Sequence, residues 1–396
     1  MGLLTAWGLR LAGHDVTVFD PAPGSEASYA AAGMLAPISE VQYGQNQLWP
    51  VMSASQDEYP ELIASLRRAV DVPTGYRQNG TILVAADAGD RDAVAELVDV
   101  QRANGMEVDL LTSSALRRRE PSLAPSLAKA WDVPSDHQVD PRILGVAAAA
   151  ALEADLSHTY PDAGPPVEWI RQRVTAVDHV QHHSDTNHHD SAVPAGATGV
   201  AITTDDGAHR HFTGTALVPG LGYGAIAGIP QQHRLALRPV YGDVLRLRVR
   251  DEQLMAGETH VLNATVRATV AGRSVYLVPR EDGGLVIGAS SREDGLAGTH
   301  AGSVAELLED AITVLPAVRE MELVEITSRA RPGTPDDRPY VGTLTVEPGV
   351  VVSTGHFRHG ILLAPLAARL TAALLSGQTL TQSEQQMLAD LDPGRS

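Results

Sequence analysis

Residues 1–20 read MGLLTAWGLRLAGHDVTVFD, and their pattern decides the fold. Leu3 to Ala12 make an apolar, helix-like run, Gly13 suits its C-terminal cap, and Val16-Thr17-Val18-Phe19 is a short strand ending at Asp20. In a dinucleotide-binding βαβ unit the third glycine of G-x-G-x-x-G opens a helix. The strand after that helix ends in an acid, about 20 residues on, that holds a ribose hydroxyl. Gly2 fits the third glycine and Asp20 the acid. The first strand and first two glycines would lie upstream of Met1, so the reading expects an in-frame segment there of roughly 10–15 residues ending in a G-x-G pair. Without that segment the chain is expected to be unstable or to hold its nucleotide poorly. Taken alone, the Gly2 to Asp20 pattern also fits a plain α/β edge.

The rest of the chain limits what the unit can serve. With 396 residues there is room for two domains or one large discontinuous one. Only 4% of residues are aromatic, so a core must come from Ala, Val and Leu. A net charge of −18 argues against a nucleic-acid or anionic-membrane surface. There is no cysteine, which excludes disulfides, thiolate metal sites and cysteine nucleophiles. No apolar run reaches the ~18 residues of a membrane span. No signal-peptide pattern opens the chain, so a cytoplasmic location is the default.

Strand and helix patterns alternate at both ends. The stretch after Asp20, PAPGSEASYAAAGMLAPISE, reads as a loop running into small-residue backbone near Ala30 to Gly33. Helices are expected over 54–70, 90–103, 303–314 and, with Asp140-Pro141 as N-cap and first residue, 141–154. Short strands are expected at 81–84, 167–180, 200–204, 209–213 and 217–218. The β-rich pieces at 244–247, 275–278 and 285–288 suggest an antiparallel block. Val350 to Ser353 is a buried-type strand, and Ile361 to Leu375 an apolar helix after Gly360.

Residues 181–199 are rich in His, Asp, Ser and Asn and read as a solvated insert between two strands rather than a metal site. Deleting most of it is expected to be tolerated, since loop closure changes by only about 0.6 kcal/mol per doubling of length. A large loss of melting temperature in the shortened chain would contradict this.

Two C-terminal pieces bear on chemistry. Arg329-Ala330-Arg331-Pro332-Gly333-Thr334 carries arginines, whose planar fork pairs a carboxylate bidentately, although Arg-Pro-Gly also suits an ordinary surface turn. Ser353-Thr354-Gly355-His356-Phe357-Arg358-His359-Gly360-Ile361-Leu362 runs from a strand through a glycine turn to a helix. That order places a positive dipole end where an anion or electron-rich ring edge would sit.

These pieces, with AAAGMLAP at 30–37, YLVPR at 276–280, LVIGA at 285–289 and GHFRHGILLAP at 355–365, resemble those of the flavin-dependent D-amino-acid oxidase superfamily. Within it the glycine oxidase subgroup, which serves the thiazole half of thiamine, is most similar. The resemblance covers Gly2 to about Leu375. It implies a mixed α/β and α+β fold: a Rossmann-like FAD-binding domain, incomplete at its N-terminus, from 1–78, 138–224 and 328–396. An inserted, mainly antiparallel substrate domain would come from 79–137 and 225–327.

Residue by residue, the resemblance implies that Arg331 grips a substrate carboxylate, Tyr276 bonds the same group, and Arg358 lies beside the flavin. Gly2, Asp20, Ala27, Ser28, Ala32, Gly33, Met34 and Val174 would line the FAD. His356, Phe357, Arg358, His359, Gly360, Ile361 and Leu362 would face the pyrimidine end of its ring. It further implies a small amino-acid substrate such as glycine, dioxygen as acceptor, no metal, and a homo-oligomer, a tetramer in the family.

Ser274 stands where a histidine is expected, Ser291 where methionine is expected, and Tyr241 where the residue is often basic. An oxidase or dehydrogenase of D-amino or N-methyl amino acids, and an inactive truncated member, remain alternatives at this level.

Overall fold

The computed structural model describes residues 1–127, 129–181, 198–254, 257, 259–344 and 349–395. The opening helix spans Gly2–Leu11 and stops at Gly13, whose φ is +88°. The strand Thr17–Phe19 follows and pairs in parallel with Glu168–Ile170. A second small sheet has the order Thr215–Leu217, Val350–Thr354, Tyr340–Thr343, its first pair parallel and its second antiparallel. The apolar helix Ala364–Leu375 packs on Gly2–Leu11 and on the Val350–Thr354 strand.

Helix Pro141–Glu153 starts as expected: the Asp140 carboxylate accepts hydrogen bonds from the Arg142 and Ile143 amides. Its far end is held by Arg10, a buried side chain of the opening helix. Arg10 donates to the carbonyls of Ala151, Leu152, Ala154, Gly164 and Pro165 at 2.6–3.0 Å. A cation suits that position, because the last carbonyls of a helix are unpaired and carry its negative dipole end.

The large sheet has eight strands in the order Glu322–Gly333, Arg238–Arg248, Gly284–Gly288, Arg273–Pro279, Thr265–Val270, Thr81–Ala85, Lys129–Val133, Asp109–Thr112. Every neighbouring pair is antiparallel except Thr265–Val270 with Thr81–Ala85. Period-two alternation divides its residues. Leu245, Leu247, Leu277, Leu285 and Ile287 face a core shared with Leu307, Ala311 and Val314 of helix Ala301–Val314. Val244, Val278 and Val286 face the other way, with Ala32 packed on them and Met34, Tyr276 and Ala289 beside them.

Several expectations shift. The stretch read as a loop after Asp20 contains a helical turn, Ala27–Ala30, and a two-residue strand, Met34–Leu35. The helix expected from 54 begins at Leu48; Pro50 lies in its first turn, where no intrahelical partner is lost. The last helix begins at Ala364, not directly after Gly360, because Phe357–His359 winds as a 3₁₀ turn and Pro365 sits at the true start. The boundary expected at 327/328 falls inside the strand Glu322–Gly333, so Arg331 rides on the large sheet. Trp7 and Trp131 are in cores, whereas Trp49 and Trp169 are only half-buried. Most of 181–199 lies outside the described residues; the strands on either side, Val174–Gln181 and Thr198–Thr204, pair antiparallel. No helix among the described residues is long and apolar enough to cross a membrane.

Candidate active site

A cavity of about 1540 Å³ lies between the two small sheets and the Val244 face of the large one. Gly2, Asp20, Ala27, Ser28, Ala32, Gly33, Met34 and Val174 all line it. So do Tyr276, Arg331, His356, Phe357, Arg358, Gly360 and Ile361. Two expected residues do not. Leu362 is buried in the core under the last helix, and His359 is turned inward by the 3₁₀ turn toward Glu40. The helix start at Ala364 also moves the expected dipole end about one turn away from Gly360.

Local backbone explains much of the lining. Asp20 ends the first strand, and its carboxylate accepts the Ala22 amide at 2.9 Å, which fixes the turn out of the sheet. Gly33 has φ +73°, and a Cβ there would strike the Val139 carbonyl and the Pro141 ring. Only glycine allows that close turn, which sets Ala32 and Met34 against the cavity.

Tyr276 and Arg331 come from different strands but share the cavity face. Tyr276 is directly opposite Gly288, and a Cβ on Gly288 would overlap the phenol ring. Arg331 lies diagonally from Gly242, and a Cβ there would overlap its guanidinium. Two glycines therefore give room for two large polar side chains to lie over the sheet. Among the described residues, the only hydrogen bond from Arg331 runs from Nη1 to the Ser290 carbonyl at 3.3 Å, and it has no ion pair. Burial pushes the Tyr276 phenol up, against the Arg331 charge that pulls it down, so it is a neutral O–H donor at ordinary pH. Arg358 also faces the cavity; burial lowers its guanidinium, which arginine tolerates without losing its charge. His356 is held down to about 3 by burial and is neutral.

The sequence reading missed Glu40, Arg267, Ser290 and the paired glycines 242 and 288, all but Gly288 in the lining. Arg280 turns out to be an internal tie: it is buried, 3.3 Å from Asp140, and donates to the Gln138 amide oxygen and the Ala32 carbonyl. The described residues contain no group of acids and histidines that would hold a metal ion.

The cavity fits an FAD with a small substrate. Its volume exceeds the ~300–1,000 Å³ of ordinary small-ligand pockets. Ala27, Ser28, Ala30, Ala31, Ala32, Gly33, Gly220 and Gly222 in its walls are small residues that let a long cofactor approach the backbone. Asp20, Arg331 and Arg358 add one acid and two cations to its lining.

Comparison with known proteins agrees. The chain is 29% identical to the bifunctional protein ThiO/ThiG of Nostoc sp. over 96% of its length, and spans about half (51%) of that relative. It is 30% identical to the glycine oxidase of Geobacillus kaustophilus, covering 91% of this chain and 86% of that one. The crystal structure of the latter enzyme superposes with a TM-score of 0.77 at 28% identity, covering 96% of this chain and 94% of the other. The DAO family of FAD-dependent oxidoreductases matches residues 1–374. With that match and this cavity, the chain belongs to the DAO family of FAD-dependent oxidoreductases.

Proposed function

We propose that the protein oxidises glycine, and other small amino acids, to the imine with reduction of dioxygen to hydrogen peroxide. The imine, or the glyoxylate formed from it, would serve assembly of the thiamine thiazole. The observation that carries the substrate class is the pairing of Arg331 with Tyr276 on one face of the large sheet, each lying over a glycine. A guanidinium fork and a neutral phenol are the donors a carboxylate requires. With the carboxylate held there, the α-carbon is brought to a fixed distance from the cofactor space. FAD would be held by the residues from Asp20 to Met34 and by the His356 to Ile361 loop, and when bound would supply the two-electron acceptor for the α-hydrogen. Arg358 adds positive charge near the place where electron density would rise.

A panel of glycine, sarcosine and D-amino acids, read by peroxide release and by an artificial acceptor, tests this. Turnover of small amino acids with stoichiometric peroxide is expected. Activity only with the artificial acceptor would make the protein a dehydrogenase.

Ser274 and Ser291 both line the cavity, and Ser274 lies on the Tyr276 side of its strand, two residues away. Two small hydroxyl residues leave more room beside the α-carbon than histidine and methionine would. D-Alanine is therefore expected to compete with glycine as a substrate, with kcat/KM within about tenfold of it, the scale set by one methyl group in a pocket. Inert D-alanine beside good glycine turnover would show that the added room is filled.

A further inference from the structure

Glu40 is a buried carboxylate that also lines the cavity. Its Oε1 accepts from Arg267 Nη1 at 2.7 Å, and its Oε2 lies 3.3 Å from His359 Nδ1. Arg267 is directly across the strand pair from Tyr276, so its guanidinium belongs to the same wall. Five arginines line the cavity, at 173, 267, 329, 331 and 358, and of these only Arg267 has a carboxylate partner among the described residues. Burial alone would raise the Glu40 carboxyl, but its contact with His359 and the charges of Arg267 and Arg358 hold it at about 2. It is an anion at any working pH.

We propose that Glu40 is a specificity residue that masks Arg267, so that a second substrate carboxylate finds no anchoring charge on the Arg267 side of Tyr276. The proposal rests on the reading of Arg331 as the carboxylate anchor. With Arg267 occupied, a monocarboxylate meets Arg331 and Tyr276, and a second carboxylate has no local partner on the Arg267 side. Without the Glu40 charge, Arg267 becomes a second anion site beside Tyr276.

The test is calorimetric titration of the purified flavoprotein with acetate and with oxalate. Glu40→Gln keeps the shape and removes the charge. It is expected to bind oxalate about tenfold or more tightly than the parent, a modest yield for one unbalanced charge at contact distance in a protein interior. Acetate, with one charge against the two of oxalate, should gain less than oxalate does. In Glu40→Gln with Arg267→Met the oxalate gain should vanish. Unchanged oxalate affinity in Glu40→Gln, or a gain that survives in the double variant, overturns the proposal. If Glu40→Gln does not fold, Arg267→Met alone decides: it leaves the Glu40 anion facing the pocket without its arginine, and acetate should bind about tenfold more weakly. Acetate binding unchanged by that variant overturns the proposal as well. The underlying reading is tested separately by Arg331→Ala, which should abolish acetate binding in the parent. If acetate still binds there, the anchor is misassigned, whatever Glu40 does.

Discussion

Replacement of Arg331 by alanine is expected to leave FAD bound while kcat/KM on glycine falls by about 30-fold or more. The guanidinium is half-buried, faces the cavity, and has no ion pair among the described residues, so its charge is available to a ligand. Truncating one partner of a partly desolvated, hydrogen-bonded charge pair costs on the order of 2–5 kcal/mol, and 2 kcal/mol is about 30-fold in rate. Folding should change little, because the one internal hydrogen bond lost is a 3.3 Å contact to the Ser290 carbonyl. Lysine at 331 should rescue only in part, since an ammonium has no planar fork. Steady-state kinetics with a flavin absorbance check measures both halves. Near-parental kcat/KM in the alanine variant would remove Arg331 from the anchoring role.

How much of this was legible beforehand depends on distance along the chain. The Gly2 helix, the Asp20 strand end and the Asp140 cap are local patterns, and each is present where the residues imply it. Arg331, Tyr276 and Arg358 were named because their residue types suit a carboxylate and their segments resemble a family. The room they occupy was not legible, because Gly242 and Gly288 matter only once the strands are in register. Glu40 and Arg267 are separated by 227 residues and neither stands in a motif, so nothing in the sequence pairs them. The inward turn of His359 depends on where the last helix starts, and one proline moved that start by about a turn. Arg10 was equally hidden: on a helix a lone arginine reads as a solvent-facing residue.

That arginine gives the second large effect, this time on stability. Arg10→Ala is expected to lower the melting temperature by about 5 °C or more. Five carbonyls lose a charged donor; those of Ala151 and Ala154 are at the end of their helix with no intrahelical amide to turn to, while that of Leu152 keeps the Val167 amide at 3.0 Å. Hydrogen bonds to a charged group contribute about 1.5–3 kcal/mol each, and a buried acceptor left without a donor costs about 1–3 kcal/mol. Water entering the vacated space would recover part of that, so a net loss of about 4 kcal/mol is a conservative figure. An unfolding entropy near 2.1 cal/mol/K per residue converts it to about 5 °C for a chain of this length. Lysine should recover less than half, having three donors and no fork. Thermal melting of the parent, Arg10→Ala and Arg10→Lys proteins decides it; a shift under about 1 °C in the alanine variant would mean the carbonyls are satisfied another way.

The central claim, that this FAD-dependent oxidoreductase acts on a small amino acid held by Arg331 and Tyr276, is tested most directly by anaerobic mixing of the purified flavoprotein with glycine. The account predicts that the oxidised flavin absorbance bleaches in a saturable way and returns on admission of oxygen with one peroxide formed per flavin. It also predicts that the Arg331→Ala protein, carrying the same flavin, stays oxidised at glycine concentrations that saturate the parent. A flavoprotein that keeps its oxidised spectrum with glycine and with every other small amino acid would contradict the account.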